Sequence, residues 1–315
     1  MKPIILIPSL ILLLIAAFFG QASIDIMDLA DKTSTSYQIF WELRVPRIVL
    51  AFAVGAILSL SGLIFQTLFR NPMSTPFTLG VASGATLFTA IAIMLGFTLF
   101  TPLFAFVGAT LTILLLFTIT ARFESDDSAS LLLVGIALSF FYSAALLVLF
   151  FLSSLQESYE IVRFTMGSLD IVGFDNAALM SVVALLLLLL IYHYRHELRI
   201  LLTSYSFAHL KGIRVKRVNT ILLLGVSVAV GVAVSITGPI GFVGLIIPHI
   251  LKTIYAKSAD RLIFPIFFYG GIFLVFCDLI ARNLGTSSDI PIGVVTSFLG
   301  APFFIYLIMN RKRRG

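Results

Sequence analysis

Few residues of this chain have side chains suited to chemistry, and their spacing limits what each can do. Asp278 lies well inside an apolar stretch with Arg282 four residues on, hence on the same helical face. An acid in such surroundings is costly unless paired, and this arginine offers the pairing. A proton relay would need several such acids along one path, and the chain does not supply them. Asp126 and Asp127 suggest the metal-binding acids of a membrane transferase, but no second acidic pair accompanies them, so they read as a solvated turn. His193 and His196 are three residues apart, a possible metal step. Arg195 and Arg199 beside them repel a cation and favour a role at an interface. His249, directly after Pro248, reads as a hydrogen-bonding partner of irregular backbone. The single cysteine, Cys277, forms neither an intramolecular disulfide nor a cysteine metal cluster. Nowhere does the chain read G-x-x-x-x-G-K-[S/T], so any ATP hydrolysis belongs to a separate subunit and the chain itself is not an enzyme. No metal or cofactor is expected.

The elements carrying these residues are membrane spans. The chain has 315 residues, 59% hydrophobic and only 11% charged; a soluble domain of this size would need far more charge to cover its surface. Apolar runs recur from end to end, which indicates one bilayer-embedded domain over 1–315. Hydropathy places ten spans near 3–20, 46–69, 76–97, 100–121, 129–152, 177–194, 218–237, 241–257, 262–282 and 290–310. The first resembles a signal peptide in length, but no convincing small-x-small cleavage site follows it, and it is taken as a membrane helix. With the N-terminus inside, sixteen of the twenty-one Lys and Arg fall on the cytoplasmic side. The other five, Lys32, Arg44, Arg47, Arg163 and Arg282, fall outside. This asymmetry predicts both termini in the cytoplasm and accounts for the net charge of +6 without nucleic acid.

Two local patterns refine the picture. In Leu43-Arg44-Val45-Pro46-Arg47, two arginines flank a proline able to start a helix at low cost. The span that follows ends in a turn bracketed by Pro72 and Pro76, then re-enters through Gly80-x-x-x-Gly84, a step that permits close helix contact. Separately, Ala53-Val54-Gly55 leading to Ser59-x-Ser61-Gly62 is echoed by Ala229-Val230-Gly231 leading to Ser235-x-Thr237-Gly238. The echoes fall in the second and seventh spans, which run in opposite directions, as two inverted five-helix halves over about 1–170 and 171–315 require.

The block from Leu43 to Gly84 resembles permease subunits of the FecCD type, from ABC importers for iron-siderophores, haem and cobalamin. Gly238-Pro239-Ile240-Gly241-Phe242 through Pro248-His249 supports the likeness, as do Pro291-Ile292-Gly293 and Gly300-Ala301-Pro302. The resemblance implies an all-α polytopic membrane protein of about ten transmembrane helices in two inverted repeats. It also implies a binding-protein-dependent importer permease in the bacterial inner membrane. Its partners would be two ATP-binding subunits, a periplasmic or lipid-anchored substrate-binding protein, and a second permease copy or paralogue. A ferric siderophore is the favoured cargo, with haem or cobalamin as alternatives and a secondary carrier needing no ATPase as the rival class. By the same resemblance, Arg44, Arg47 and Arg282 would dock the binding protein. Ala208, Leu210, Lys211 and Gly212 would belong to the helix that couples to the ATPase, although Lys211 stands where the family usually has leucine. The stretch 153–176 suits a short helix across the outer mouth.

Overall fold

The computed structural model describes residues 3–20, 22, 24–25, 27–120, 128–203, 214–255, 259–284 and 289–311, and these are helical with no strand among them. Helices α1 (Pro3–Phe18), α2 (Thr35–Leu68), α3 (Val81–Met94), α4 (Thr101–Thr120) and α5 (Ser128–Leu152) make up the first half. A short surface helix, α6 (Leu155–Met166), precedes α7 (Asp175–His193) and α8 (Arg195–Thr203). The rest of the bundle is α9 (Val215–Thr237), α10 (Val243–Tyr255), α11 (Ala259–Leu284) and α12 (Ile292–Arg311). Ten of these coincide with the ten expected spans; α6 and α8 lie at the ends of the bundle. Six are long and apolar enough to cross a membrane by length and composition, and α3, α10 and most of α12 are shorter apolar helices.

The axis of the bundle is α2, which packs against α11, α7, α10 and α9 and is almost wholly buried from Leu50 to Leu68. Small residues make this possible. A Cβ at Gly62 would overlap the Gly244 carbonyl of α10, and one at Gly55 would overlap the Gly270 carbonyl of α11. Without a hydrophobic drive between helices in lipid, such close backbone approach maximises van der Waals contact. The echoed motif packs in a swapped but equivalent way. Gly55 in the second span faces the ninth, α11, whereas Gly231 in the seventh faces Phe106 and Ala109 of the fourth, α4.

Helix α2 departs from expectation at its start. The regular α-helical part does begin at Val45 with Pro46 in its first turn, as expected, but it continues without a break from Thr35, N-capped by the Ser34 hydroxyl, through a π-helical stretch at Ile39–Arg44. Pro46 has no N–H for the ladder. The Glu42 carbonyl, four residues back, accepts instead from the Gly173 backbone N–H at 2.8 Å. The wide turn thus ties the head of α2 to the segment following α6. The third span is also shorter than the expected 76–97, because Gly80 and Gly96 both have positive φ and bound it at Val81–Met94.

The expected mouth helix is α6. Ser154 and Glu157 form a reciprocal capping box at its N-terminus, and those hydrogen bonds, the Ser154 backbone N–H first, hold the Glu157 carboxyl below the usual glutamate range.

Candidate functional site

At one end of the bundle, carboxylates from three other parts of the chain converge on Arg47 of α2. Its Nε donates to Asp278 Oδ1 of α11 at 2.8 Å. Its Nη1 donates to Asp170, just beyond α6, at 2.8 Å and to Asp289, just before α12, at 2.6 Å. Asp278 is fully buried and also pairs with Arg282 at 3.0 Å, the i, i+4 contact expected from spacing. Arg282 donates in addition to the Ala16 carbonyl of α1 at 3.1 Å. Arg44 turns the other way, to the C-terminal end of α1. Its guanidinium donates to the carbonyls of Phe18 at 2.6 Å, Ala17 at 3.4 Å and Ala22, where a helix leaves its last acceptors unpaired.

The three arginines singled out from sequence therefore lie together, but each is engaged within the chain. Arg44 and Arg282 are buried, and Arg47 alone borders an open cavity. That cavity, about 400 Å³, is lined by Arg47, Asp170, Asp289, Tyr159, Arg163 and neighbouring residues. The grouping of three arginines with three aspartates balances in charge, which a low-dielectric setting requires.

Beside this network runs a larger cleft of about 660 Å³. Thr165 and Met166 at the end of α6, Pro239 and Gly241 before α10, residues between Gly293 and Pro302 of α12, and Phe77 line it. The α12 stretch extends about 15 Å at helical rise, roughly half a bilayer's hydrocarbon depth. The lining bears two hydroxyls, Thr165 and Ser297, and no charge. Such a wall lets a bulky solute slide without stripping water from ions or holding it at a strong site.

The family model describing the FecCD transport family matches residues 7–310. The chain belongs to that family. A hemin transport permease, HmuU of Yersinia pestis, is 31% identical over 326 residues, 99% of this chain and 98% of the relative. A probable iron chelatin permease of Helicobacter pylori is 33% identical over 282 residues, 90% and 86% of the two chains. The vitamin B12 permease BtuC of Yersinia pseudotuberculosis is 32% identical over 283 residues, 89% and 84%. Among solved structures, one described as a metal-chelate type ABC transporter in an inward-facing conformation superposes with a TM-score of 0.86 at 28% identity, covering 98% of this chain and all of that one. This FecCD chain is thus a multi-pass permease of an ABC importer, which works with separate ATP-hydrolysing subunits, a substrate-binding protein and a second permease.

Asp170 and Asp289 are among the acids expected around the outer arginines of this permease, but their pairing with Arg47 escaped the sequence reading, as did a polar link inside the bundle. Asp170 and Asp289 lie 123 and 242 residues from Arg47 in the chain, and no local pattern links them. Inside the bundle, the Gln66 amide of α2 donates to the Gly244 carbonyl at 3.1 Å, and its Oε1 accepts from Lys252 of α10 at 3.3 Å. At the opposite end, Arg199 of α8 pairs with Asp260 of α11, and Arg70 donates to the Leu201 carbonyl at 3.0 Å. These bonds fix α8, which leads toward the expected coupling segment. Ala208, Leu210, Lys211 and Gly212 themselves lie outside the described residues.

Proposed function

We propose that this permease imports a ferric siderophore, with haem and cobalamin the other cargoes that its relatives' names suggest. The observation that carries this reading is the uncharged cleft along α12, whose volume of about 660 Å³ and lining suit a large chelate that already encloses its metal. In this reading both termini are cytoplasmic, following the sixteen-to-five split of basic residues, and the Arg47 end faces outward. The halves at about 1–170 and 171–315 act as one domain, and a second copy of the chain or a similar one completes the path.

Docking of the substrate-binding protein uses Arg47, whose planar fork suits a partner's carboxylate. Arg44 and Arg282 support that site from within by anchoring α1 and Asp278. The 208–212 segment couples to the ATPase on the opposite side. The test is uptake into vesicles containing the full importer, with labelled ferric siderophores, haem and cobalamin as probes. One chelate class should accumulate only when ATP and the binding protein are both present. Accumulation without the ATPase subunits would identify a secondary carrier instead.

A further inference from the structure

Arg47 Nη1 is shared by two carboxylates in the segments adjoining two walls of the cleft, α6 and α12. Asp170 lies in the short connection between α6 and α7, and Asp289 stands three residues before α12. The two walls also touch directly, since a Cβ at Gly293 of α12 would overlap the Met166 carbonyl of α6. Through one guanidinium group Arg47 therefore ties the segment after α6 to the segment before α12. The exposure of these two aspartates differs from that of the third partner. Asp278 is completely buried and doubly paired, whereas the side chains of Asp170 and Asp289 are 46% and 28% exposed. The first is a fixed anchor; the other two can exchange their partner for water or for another cation. The 400 Å³ cavity is lined by Arg47 together with both of these aspartates. An Nη1 nitrogen has two hydrogens, and Asp170 and Asp289 engage it already. A further carboxylate can bind there only by displacing one of them.

We propose that Asp170 and Asp289 form a latch on Arg47 which an acidic side chain of the docking substrate-binding protein opens. The incoming carboxylate takes one Nη1 hydrogen, the aspartate it displaces turns to solvent, and the ends of α6 and α12 are freed to separate beside the cleft. Swapping one carboxylate for another leaves the number of charge-assisted bonds to Arg47 nearly unchanged, so the exchange meets little opposition. Asp278 keeps Arg47 in place throughout. The latch rests on the reading of Arg47 as the docking residue.

The experiment uses the assembled importer in lipid nanodiscs with its binding protein as the probe. Spin labels on cysteines replacing Val162 of α6 and Val294 of α12 report the width of the mouth. In the parent, adding the binding protein should shift the label separation to longer distances. The combined change Asp170→Asn and Asp289→Asn should widen the mouth beforehand and tighten binding-protein affinity ~5-fold, the scale of one partly exposed ion pair no longer competing. A parent separation that does not respond to docking overturns the latch, whatever the variants do. So does an unchanged or weakened affinity in the Asn variant. Failure of the docking reading has a different signature, which also removes the latch: Arg47→Ala would leave binding-protein affinity as in the parent.

Discussion

Gln66 and Lys252 show how a polar group survives inside an apolar bundle. The amide ties α2 to α10 by donating to the Gly244 carbonyl, and its oxygen receives the Lys252 ammonium. Removing one member of such a pair leaves the other desolvated, whereas replacing both with apolar groups of similar shape is nearly neutral. Gln66→Leu is therefore expected to destabilise the permease by about 1–3 kcal/mol. The double variant Gln66→Leu with Lys252→Met should be more stable than the single one. Thermal melts of the purified permease in detergent decide this; a double variant less stable than Gln66→Leu would show that Lys252 has a stabilising role apart from Gln66. The same accounting explains the ion network at Arg47. Asp278, Arg282 and Arg44 are all buried, and each finds either an opposite charge or backbone carbonyls from α1.

Helix α2 holds its neighbours through backbone approach as well as side-chain packing. Its contact with α10 at Gly62 and Gly244 leaves no room for a methyl group, and the obstacle is a carbonyl that cannot swing aside. Overpacking of this kind costs more than an exposed substitution. Gly62→Ala is expected to lower the melting temperature by about 5 °C or more. Gly241→Ala serves as the comparison, because nothing lies within 4 Å of its added Cβ; it should melt within about 1 °C of the parent. Equal effects from the two substitutions would contradict the tight seam. The head of the same helix is set by a different device. Pro46 withholds an N–H, a π turn absorbs the gap, and the Glu42 carbonyl is left to bind Gly173. That bond holds the start of α2, and with it Arg47, close to the segment carrying Asp170.

The bundle as a whole is sided, and its two ends carry different work. One end gathers Arg47, its aspartates and the mouth of the cleft; the other gathers Arg199, Asp260 and Arg70 around α8. Placing the first end outside predicts that single cysteines replacing Thr33 and Ser206 react with an impermeant maleimide from opposite faces of the membrane. Cys277 is fully buried and contributes no background. Reaction of both from one face would invert or break the proposed topology. The exposed apolar surface of α5, including Phe140, Phe141 and Phe151, is in keeping with a chain that meets lipid and a second permease rather than water.

Hydropathy and composition were sufficient to locate ten helices, because crossing a bilayer demands a long apolar run whatever the neighbours are. The pairing of Asp278 with Arg282 was equally legible, being a property of one helix at spacing four. Motifs around Arg44, Gly238 and Pro291 pointed to the FecCD family. Tertiary structure alone decided the rest. Arg47 and Arg44 sit three residues apart and look alike in sequence, yet one faces a cavity and three carboxylates while the other is buried against α1. That difference follows from a π turn and from contacts spanning up to 242 residues. The cleft is likewise an arrangement of walls from α6, α12 and the segment before α10. A local pattern sets the period of a helix, but the partners of a side chain depend on which helices the fold brings beside it.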